Sequence, residues 1–227
     1  MKIEMHAHTS PVSPCGMLTP VQVVKIYEEL GYDAIVVTNH YSEYSMPLLG
    51  NTFNEKIGNF IADYRACVKA ARTIKVFLGA EVAIRGPYSR AEFLLYGIDE
   101  DFLYDSPLLI EQTQSRLYSL CRQCGAVMIQ AHPFRTEFNM VPQDCGLMDG
   151  IEVNCHPAHL RQEEKVRDFA SAHGLLVTAG SDFHGDGMPS AGIITDEPVD
   201  DVKELAEVLR LKKYRYFYDK NKIVELP

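Results

Sequence analysis

Met1–His8 reads MKIEMHAH, an alternating run that predicts a first β-strand, and its two histidines decide how the rest is read. Side chains along a strand alternate between faces, so His6 and His8 leave the same face about 7 Å apart. Two imidazoles held rigidly on one face can chelate a single cation, and neutral imidazole is the commonest protein ligand for Zn, Fe or Mn. What matters next is which further ligands the chain brings to that face.

Short apolar segments alternate with helical ones beyond this strand. Thr19-Pro20 reads as an N-cap followed by proline at the first helical position. Val21, Val24, Ile26, Tyr27 and Leu30 supply an apolar stripe, and Gly31 closes the helix. Ala34–Thr38 (AIVVT) has the continuous apolar character of a strand covered on both faces, and it delivers His40 just past its end. Tyr41–Phe53 reads as a long loop that shapes a pocket, Asn54–Thr73 as a helix, and Lys75–Leu78 as a strand with Glu81 beyond it. Further strands are expected over Ala91–Ile98, Val127–Gln130, Gly150–Val153, Leu176–Ala179 and Ala191–Thr195. Helices are expected from Ser106 to Gly125, from about Ala158 to Gly174, and over Val199–Leu211. Alternating Tyr214, Tyr216 and Tyr218 suggest a C-terminal edge strand or hairpin.

This alternation predicts parallel βα units. Ligand-type residues placed after strand upon strand are what an α/β barrel shows at the mouth formed by its strand C-termini. The expected fold class is α/β, a distorted (β/α)7 TIM-like barrel of roughly seven strands, with 1–227 as one domain.

His40, Glu81, His132 and the Asp182/His184 pair join His6 and His8 at or just past predicted strand ends. Each alone has an ordinary reading: a hydrogen-bonded core histidine, an ion-pair partner in Glu81, a helix or turn cap in Asp182. Burying five imidazoles unpaired would be costly, so the joint pattern points to metal. These donors exceed what one tetrahedral zinc can use. Two or three divalent cations about 3.5–4 Å apart, bridged by Glu81, are expected.

A net charge of −9 argues against non-specific binding to a nucleic acid backbone. No run reaches the 18 or so apolar residues of a membrane span, and no signal-peptide pattern opens the chain, so a cytoplasmic location is expected. The six cysteines show no disulfide framework, which suits a reducing compartment. Cys121 and Cys124 form an isolated CxxC inside a predicted helix. Nothing indicates an oligomeric state.

The stretches MHAHTS, SPCGMLTP, VVTNH, GAEV, QAHPFR, GIEVN and GSDFHG, in this order, resemble the polymerase and histidinol phosphatase (PHP) family of metal-dependent phosphoesterases. The resemblance implies a distorted seven-stranded barrel holding two or three Zn, Mn or Fe ions. It implies His6, His8, Glu81 and Asp182 around a first metal, Glu81 and His132 around a second, and His40 with His184 around a third. Cys15 stands where many members have Asp or His, and is either a loop residue or a thiolate ligand. The strand EFLLYGI lacks the histidine that members often carry there, and His156 is a candidate substitute or a substrate-facing group. Asn39 replaces the usual Asp before His40.

The activity this implies is hydrolysis of a small phosphorylated substrate by a metal-bound hydroxide, with Asp182 and His184 as catalytic residues. Arg135 and His156 are the candidate substrate-binding residues, Arg135 for a bidentate grip on phosphate. Arg161, Arg85 and His159 are lesser candidates. Two alternatives stand beside it: an amidohydrolase-type metal-dependent hydrolase, and a non-catalytic metal-stabilised interaction domain. Histidinol phosphate, nucleotides and oligonucleotide ends are all open as substrates.

Overall fold

Threonine caps start the long helices where the sequence places them. Thr19 caps α1 (Pro20–Glu29), which follows β1 (Lys2–Ala7) and precedes β2 (Ala34–Val37) and the short β3 (His40–Tyr41). Thr52 Oγ1 accepts the Glu55 N–H while Glu55 Oε2 accepts the Thr52 N–H, a reciprocal box at the start of α2 (Phe53–Ala70). The computed structural model describes residues 1–85, 90–136, 140–159, 161–219 and 222–225, with Arg85 and Arg90 described by backbone alone.

Next come β4 (Lys75–Arg85), β5 (Arg90–Tyr96), α3 (Glu100–Asp105), α4 (Gln114–Cys124), β6 (Val127–Gln130) and β7 (Gly150–Asn154). Then follow α5 (Glu163–His173), β8 (Leu176–Gly180), β9 (Gly192–Ile194), α6 (Val202–Arg210) and the hairpin β10 (Arg215–Tyr218) and β11 (Lys222–Val224). One sheet runs β11-β10-β9-β1-β2-β4-β5-β6-β7-β8, with β3 on β4. It curls until the residues after β8 meet β1: His8 N–H donates to Phe183 O at 2.9 Å, and Phe183 N–H to His6 O at 3.2 Å. The result is a mixed α/β, barrel-like wall.

Three strands differ from the sequence reading, the first being β9, which runs antiparallel to β1. β5 runs antiparallel to both β4 and β6, so this part of the sheet is not a parallel βα unit. β4 continues to Arg85, so Glu81 lies inside the strand rather than beyond its end. Smaller differences lie in the connections. The expected helix from Ser106 begins only at Gln114, after a 3-10 turn over Leu109–Glu111, and α5 begins at Glu163. α3 was not legible, and the expected loop 41–53 holds the second residue of β3 and a 3-10 turn, Met46–Leu49.

β1 carries a bulge that aims the site. Its register on β2 slips between Glu4 and Ala7, inserting one residue. Ile3 and Met5 enter the core beside Ala34 and Val36, while Ala7 packs with Ile35, Val37 and Tyr27 on the helix side. The buried Glu4 carboxylate holds this geometry. Its Oε1 accepts the N–H groups of Met5 and His6 at 3.0 Å and of Ser181 at 2.8 Å, and its Oε2 accepts the Tyr27 hydroxyl at 3.0 Å. Burial raises the Glu4 carboxyl to about 7 against these hydrogen bonds.

An unsatisfied buried donor costs about 1–3 kcal/mol. Glu4→Ala should therefore lower stability by about 3 kcal/mol or more in urea unfolding, and Glu4→Gln, which keeps an acceptor, by clearly less. Equal losses in the two variants would contradict this role.

Candidate metal centre

β1, β3, β4, β6 and the turn after β8 bring the expected residues to one place. His6 Nε2 lies 3.4 Å from both Glu81 Oε1 and Asp182 Oδ1, and His8 Nε2 lies 3.2 Å from Asp182 Oδ1 and 3.6 Å from Glu81 Oε2. His132 Nε2 is 2.9 Å from Glu81 Oε1, and His40 Nδ1 is 2.6 Å from Glu81 Oε2. His184 Nε2 faces His40 Nε2 at 3.3 Å. The ring centroids of His6 and His8 are 5.0 Å apart, closer than flat alternation gives, in keeping with the bulge.

The outward-facing ring nitrogens have partners of their own. His6 Nδ1 is committed to Glu152 Oε1 at 2.8 Å, His8 Nδ1 to Ser13 Oγ at 3.1 Å, and His184 Nδ1 to the Asp182 carbonyl at 2.8 Å. His132 Nδ1 lies 3.0 Å from Met140 Sδ. Each of these partners can accept from an Nδ1–H, which would leave Nε2 free to meet a cation, the arrangement of a metal-ligating histidine backed by an outer acceptor. Asn39 works one step further out. Its Oδ1 accepts from Thr9 N–H and Ser13 Oγ, and Ser13 Oγ in turn receives the His40 backbone N–H and the His8 ring.

Four buried atoms at the centre, His6 Nε2, His8 Nε2, Glu81 Oε2 and Asp182 Oδ1, make no hydrogen bond of acceptable geometry. Orphaned buried polar atoms are rare, and four that converge are the donor set a cation would satisfy. Other triads with ligand atoms within 4.8 Å of one another are His8/His40/His184 and His40/Glu81/Glu92. The residues present fit a divalent cation.

Electrostatics match this picture. Burial would raise the Glu81 carboxyl, but His40 and His6 hold it well below the ordinary value. Asp182 behaves likewise, burial opposed by His6, His8 and Arg135. Burial drives His8 well below its ordinary value, with His184 and His40 adding to the effect. For His6 burial is outweighed by Glu152, Asp182 and Glu81, which raise it. Burial would raise the Cys15 thiol, yet hydrogen bonds with His184 and His40 bring it down to about 6.

Glu92 and Glu152 were missed. Glu92 sits on β5, in the strand that lacks a histidine, with Oε2 3.5 Å from His132 Nε2. Because β5 is antiparallel, its start, not its end, reaches the centre; one acid in the apolar AEFLLYGI was the available signal. Glu152, in GIEVN, is fully buried behind His6. A lone acid inside a buried strand was its signal.

A cleft of about 480 Å³ opens onto the centre, lined in part by Cys15, Tyr44, Glu92, Arg135, His156 and His184. Arg135 Nη2 donates to Asp182 Oδ2, so its guanidinium is anchored at the centre's edge. His156 Nε2 lies 3.3 Å from Asp186 Oδ2, with its Nδ1 accepting the Ala158 N–H. His156 is thus in the cleft wall and away from the carboxylate cluster. His159 lines the same cleft, Arg161 is paired with Asp219 outside it, and the Arg85 side chain lies outside the described residues. Of the two pocket-loop tyrosines, Tyr41 is core and Tyr44 is exposed in the cleft. Cys121 is buried on α4, and Cys124 Sγ donates to its carbonyl.

The chain has the fold of the PHP-like phosphoesterases. It superposes on a candidate metal-dependent phosphoesterase from Bifidobacterium adolescentis with a TM-score of 0.59 and 18% identity, over 92% of this chain and 95% of that one. A two-domain Bacteroides vulgatus protein containing an inferred PHP-like metal-dependent phosphoesterase gives 0.66 and 18%, over 96% of this chain and 65% of that one. A lesion-specific endonuclease from Pyrococcus furiosus gives 0.56 and 12%, over 92% and 55%. No family model matches the chain, and no curated protein matches it in sequence. On this PHP-like fold, the seven residues read from the sequence as ligands meet at one mouth.

An outer partner of a ligating histidine is worth about 10–100-fold in metal affinity. Glu152→Ala, which removes no inward-facing donor, should weaken zinc binding by that amount in a competition titration with a chromophoric chelator. Unchanged affinity would show that Glu152 does not support His6.

Proposed function

We propose that the chain is a metal-dependent phosphoesterase, built on a distorted (β/α)7 barrel of the PHP type, and that 1–227 is one such domain. The observation that carries this is the convergence of buried, hydrogen-bond-orphaned nitrogens and carboxylate oxygens in a fold shared with PHP-like phosphoesterases. His6, His8, Glu81 and Asp182 would hold a first divalent ion, Glu81, His132 and Glu92 a second, and His40 with His184 a third. Two or three ions, Zn, Mn or Fe, would supply Lewis-acid activation of water and of a phosphoryl oxygen.

The protein's own groups do the rest. Glu81 reaches His6, His40 and His132 at once, so it ties the parts of the centre together. Asp182 Oδ1 is placed to accept a hydrogen bond from an attacking water, and its other oxygen restrains Arg135. Arg135 and His156 in the cleft wall would grip the phosphoryl group and its substituent, with His184 beside them. The cleft's size suits a small phosphorylated substrate. All six cysteines are free thiols, in keeping with a cytoplasmic setting, and no helix among the described residues is long and apolar enough to cross a membrane.

An amidohydrolase-type centre usually needs a lysine to bridge its metals. Among the described residues no lysine lines the cleft, and Glu81 occupies the central position.

Elemental analysis combined with a phosphate-release panel in added Mn²⁺ or Zn²⁺ tests the proposal. His8→Ala and Asp182→Asn should abolish turnover with the fold retained by circular dichroism, and Glu81→Ala should strip more than one ion. Metal bound without any phosphoester turnover would instead favour a metal-stabilised interaction domain.

A further inference from the structure

We propose that Asp63, on α2 and outside the centre, is a positioning residue for the candidate ligand His8, acting through a one-way hydrogen-bond relay of Thr9, Asn39 and Ser13. The inference rests on the metal-dependent reading above and adds a distant carboxylate to the support of that centre.

Fixed donors and acceptors set the direction of the relay. An ionised carboxylate can only accept, so the Thr9 hydroxyl donates to Asp63 Oδ2 at 2.9 Å. With that proton committed, Thr9 Oγ1 accepts an amide N–H of Asn39 at 2.8 Å. The amide cannot be turned round, because the Thr9 backbone N–H meets Asn39 Oδ1 at 2.7 Å. Ser13 Oγ donates to the same Oδ1 at 2.9 Å. A serine proton turned instead to the His8 ring would set oxygen lone pairs face to face at that distance. Ser13 Oγ is left with lone pairs, one for the His40 backbone N–H at 3.0 Å and one for His8 Nδ1 at 3.1 Å. His8 therefore carries its proton on Nδ1, and its buried Nε2, which has no hydrogen bond, keeps the lone pair.

Thr9, Ser13, Asn39 and Asp63 are all buried. A carboxylate is costly in such a place unless a positive charge offsets it. The partners of Asp63 among the described residues are the Thr9 hydroxyl and the Val12 N–H, at 3.2 Å, and neither is a cation. The offsetting charge belongs at the other end of the relay, where His8 Nε2 faces the centre. When that nitrogen meets a cation, electron density leaves the ring, and donation from Nδ1–H toward a carboxylate replaces part of it. Each bond polarises the next, and no proton changes owner.

The relay also aims the ring. Asp63 sits on α2, Thr9 and Ser13 lie on the loop after β1, and Asn39 lies just past β2, so helix, loop and sheet are locked together behind the imidazole. Asn39 is the member that must accept on one side and donate on the other. Aspartate at position 39 would put a second carboxylate on the Thr9 hydroxyl, which has one proton to give.

The test reads tautomer and affinity rather than turnover. In side-chain nitrogen NMR of metal-free, isotope-labelled protein, with His8 assigned through His8→Gln, its Nδ1 should be protonated and its Nε2 bare. Zinc affinity in a chelator competition should fall about tenfold in Thr9→Val and about threefold or more in Asp63→Asn, with the fold retained by circular dichroism. Thr9→Ser should restore wild-type affinity, and Thr9→Val/Asp63→Asn should bind no worse than Thr9→Val, since both break one path. Asn39→Asp should weaken binding and Asn39→Asp/Asp63→Asn should recover it, the relay then running toward position 39. A His8 proton on Nε2, or zinc affinity unchanged in Thr9→Val and Asp63→Asn whatever their stability, overturns the relay and leaves the metal reading intact. A wild-type chain that takes up no zinc, cobalt or manganese overturns both.

Discussion

A carboxylate sealed from solvent must be protonated or compensated, and Glu81 is compensated by three imidazoles from three separate segments. His6 comes from β1, His40 from β3 and His132 from the turn after β6, so one side chain ties together segments distant along the chain. This dependence explains why β4 is the longest strand. It must run past the body of the sheet to carry Glu81 to the mouth while still pairing with β2 below, with β3 beside Glu81, and with β5 along its other edge.

The same constraint works outward through hydrogen bonds rather than through apolar packing. Glu152 backs His6, Ser13 backs His8, and Asn39 backs Ser13, so the inner shell inherits its geometry from a second layer of buried polar groups. Glu4 is the furthest member, holding the backbone of β1 and the start of the Asp182 turn with one carboxylate oxygen. Such networks are costly when half satisfied. Four of the buried atoms without a hydrogen bond of acceptable geometry, His6 Nε2, His8 Nε2, Glu81 Oε2 and Asp182 Oδ1, lie at the point where cations would sit.

How far this was legible depended on strand direction. Where strands are parallel, the rule that ligands follow strand ends brought His40, His132, Asp182 and His184 to the correct mouth. It failed at β5, whose reversed direction puts its first residues there and its last ones at the other end, so Glu92 escaped notice. It also misplaced Glu81, since the apolar run after Lys75 breaks at Gly79-Ala80 and gives no sign that pairing with β5 extends the strand. Glu152 lies in GIEVN, where the apolar neighbours mask a buried acid whose partner, His6, is far away in the chain. Helix caps were read well because capping is local; connection lengths were read poorly because tertiary packing trims them. The bulge in β1, between Glu4 and Ala7, had no local signature.

Charge explains how a chain of net −9 could attract an anion. The carboxylates of the centre are buried and matched by imidazoles, so they project little field outward, while Arg135 and the rings of His156 and His184 line the cleft beside Glu92 and Asp186. Adding divalent ions behind that lining would invert the local sign decisively, because bound cations are the largest charges in such a site. Phosphate affinity would then be a property of the loaded centre and not of the polypeptide surface. On this account the overall acidity of the chain and its proposed preference for small phosphorylated substrates are compatible: the surface repels long polyanions, and the cleft admits a single phosphoryl group close enough to feel the metals.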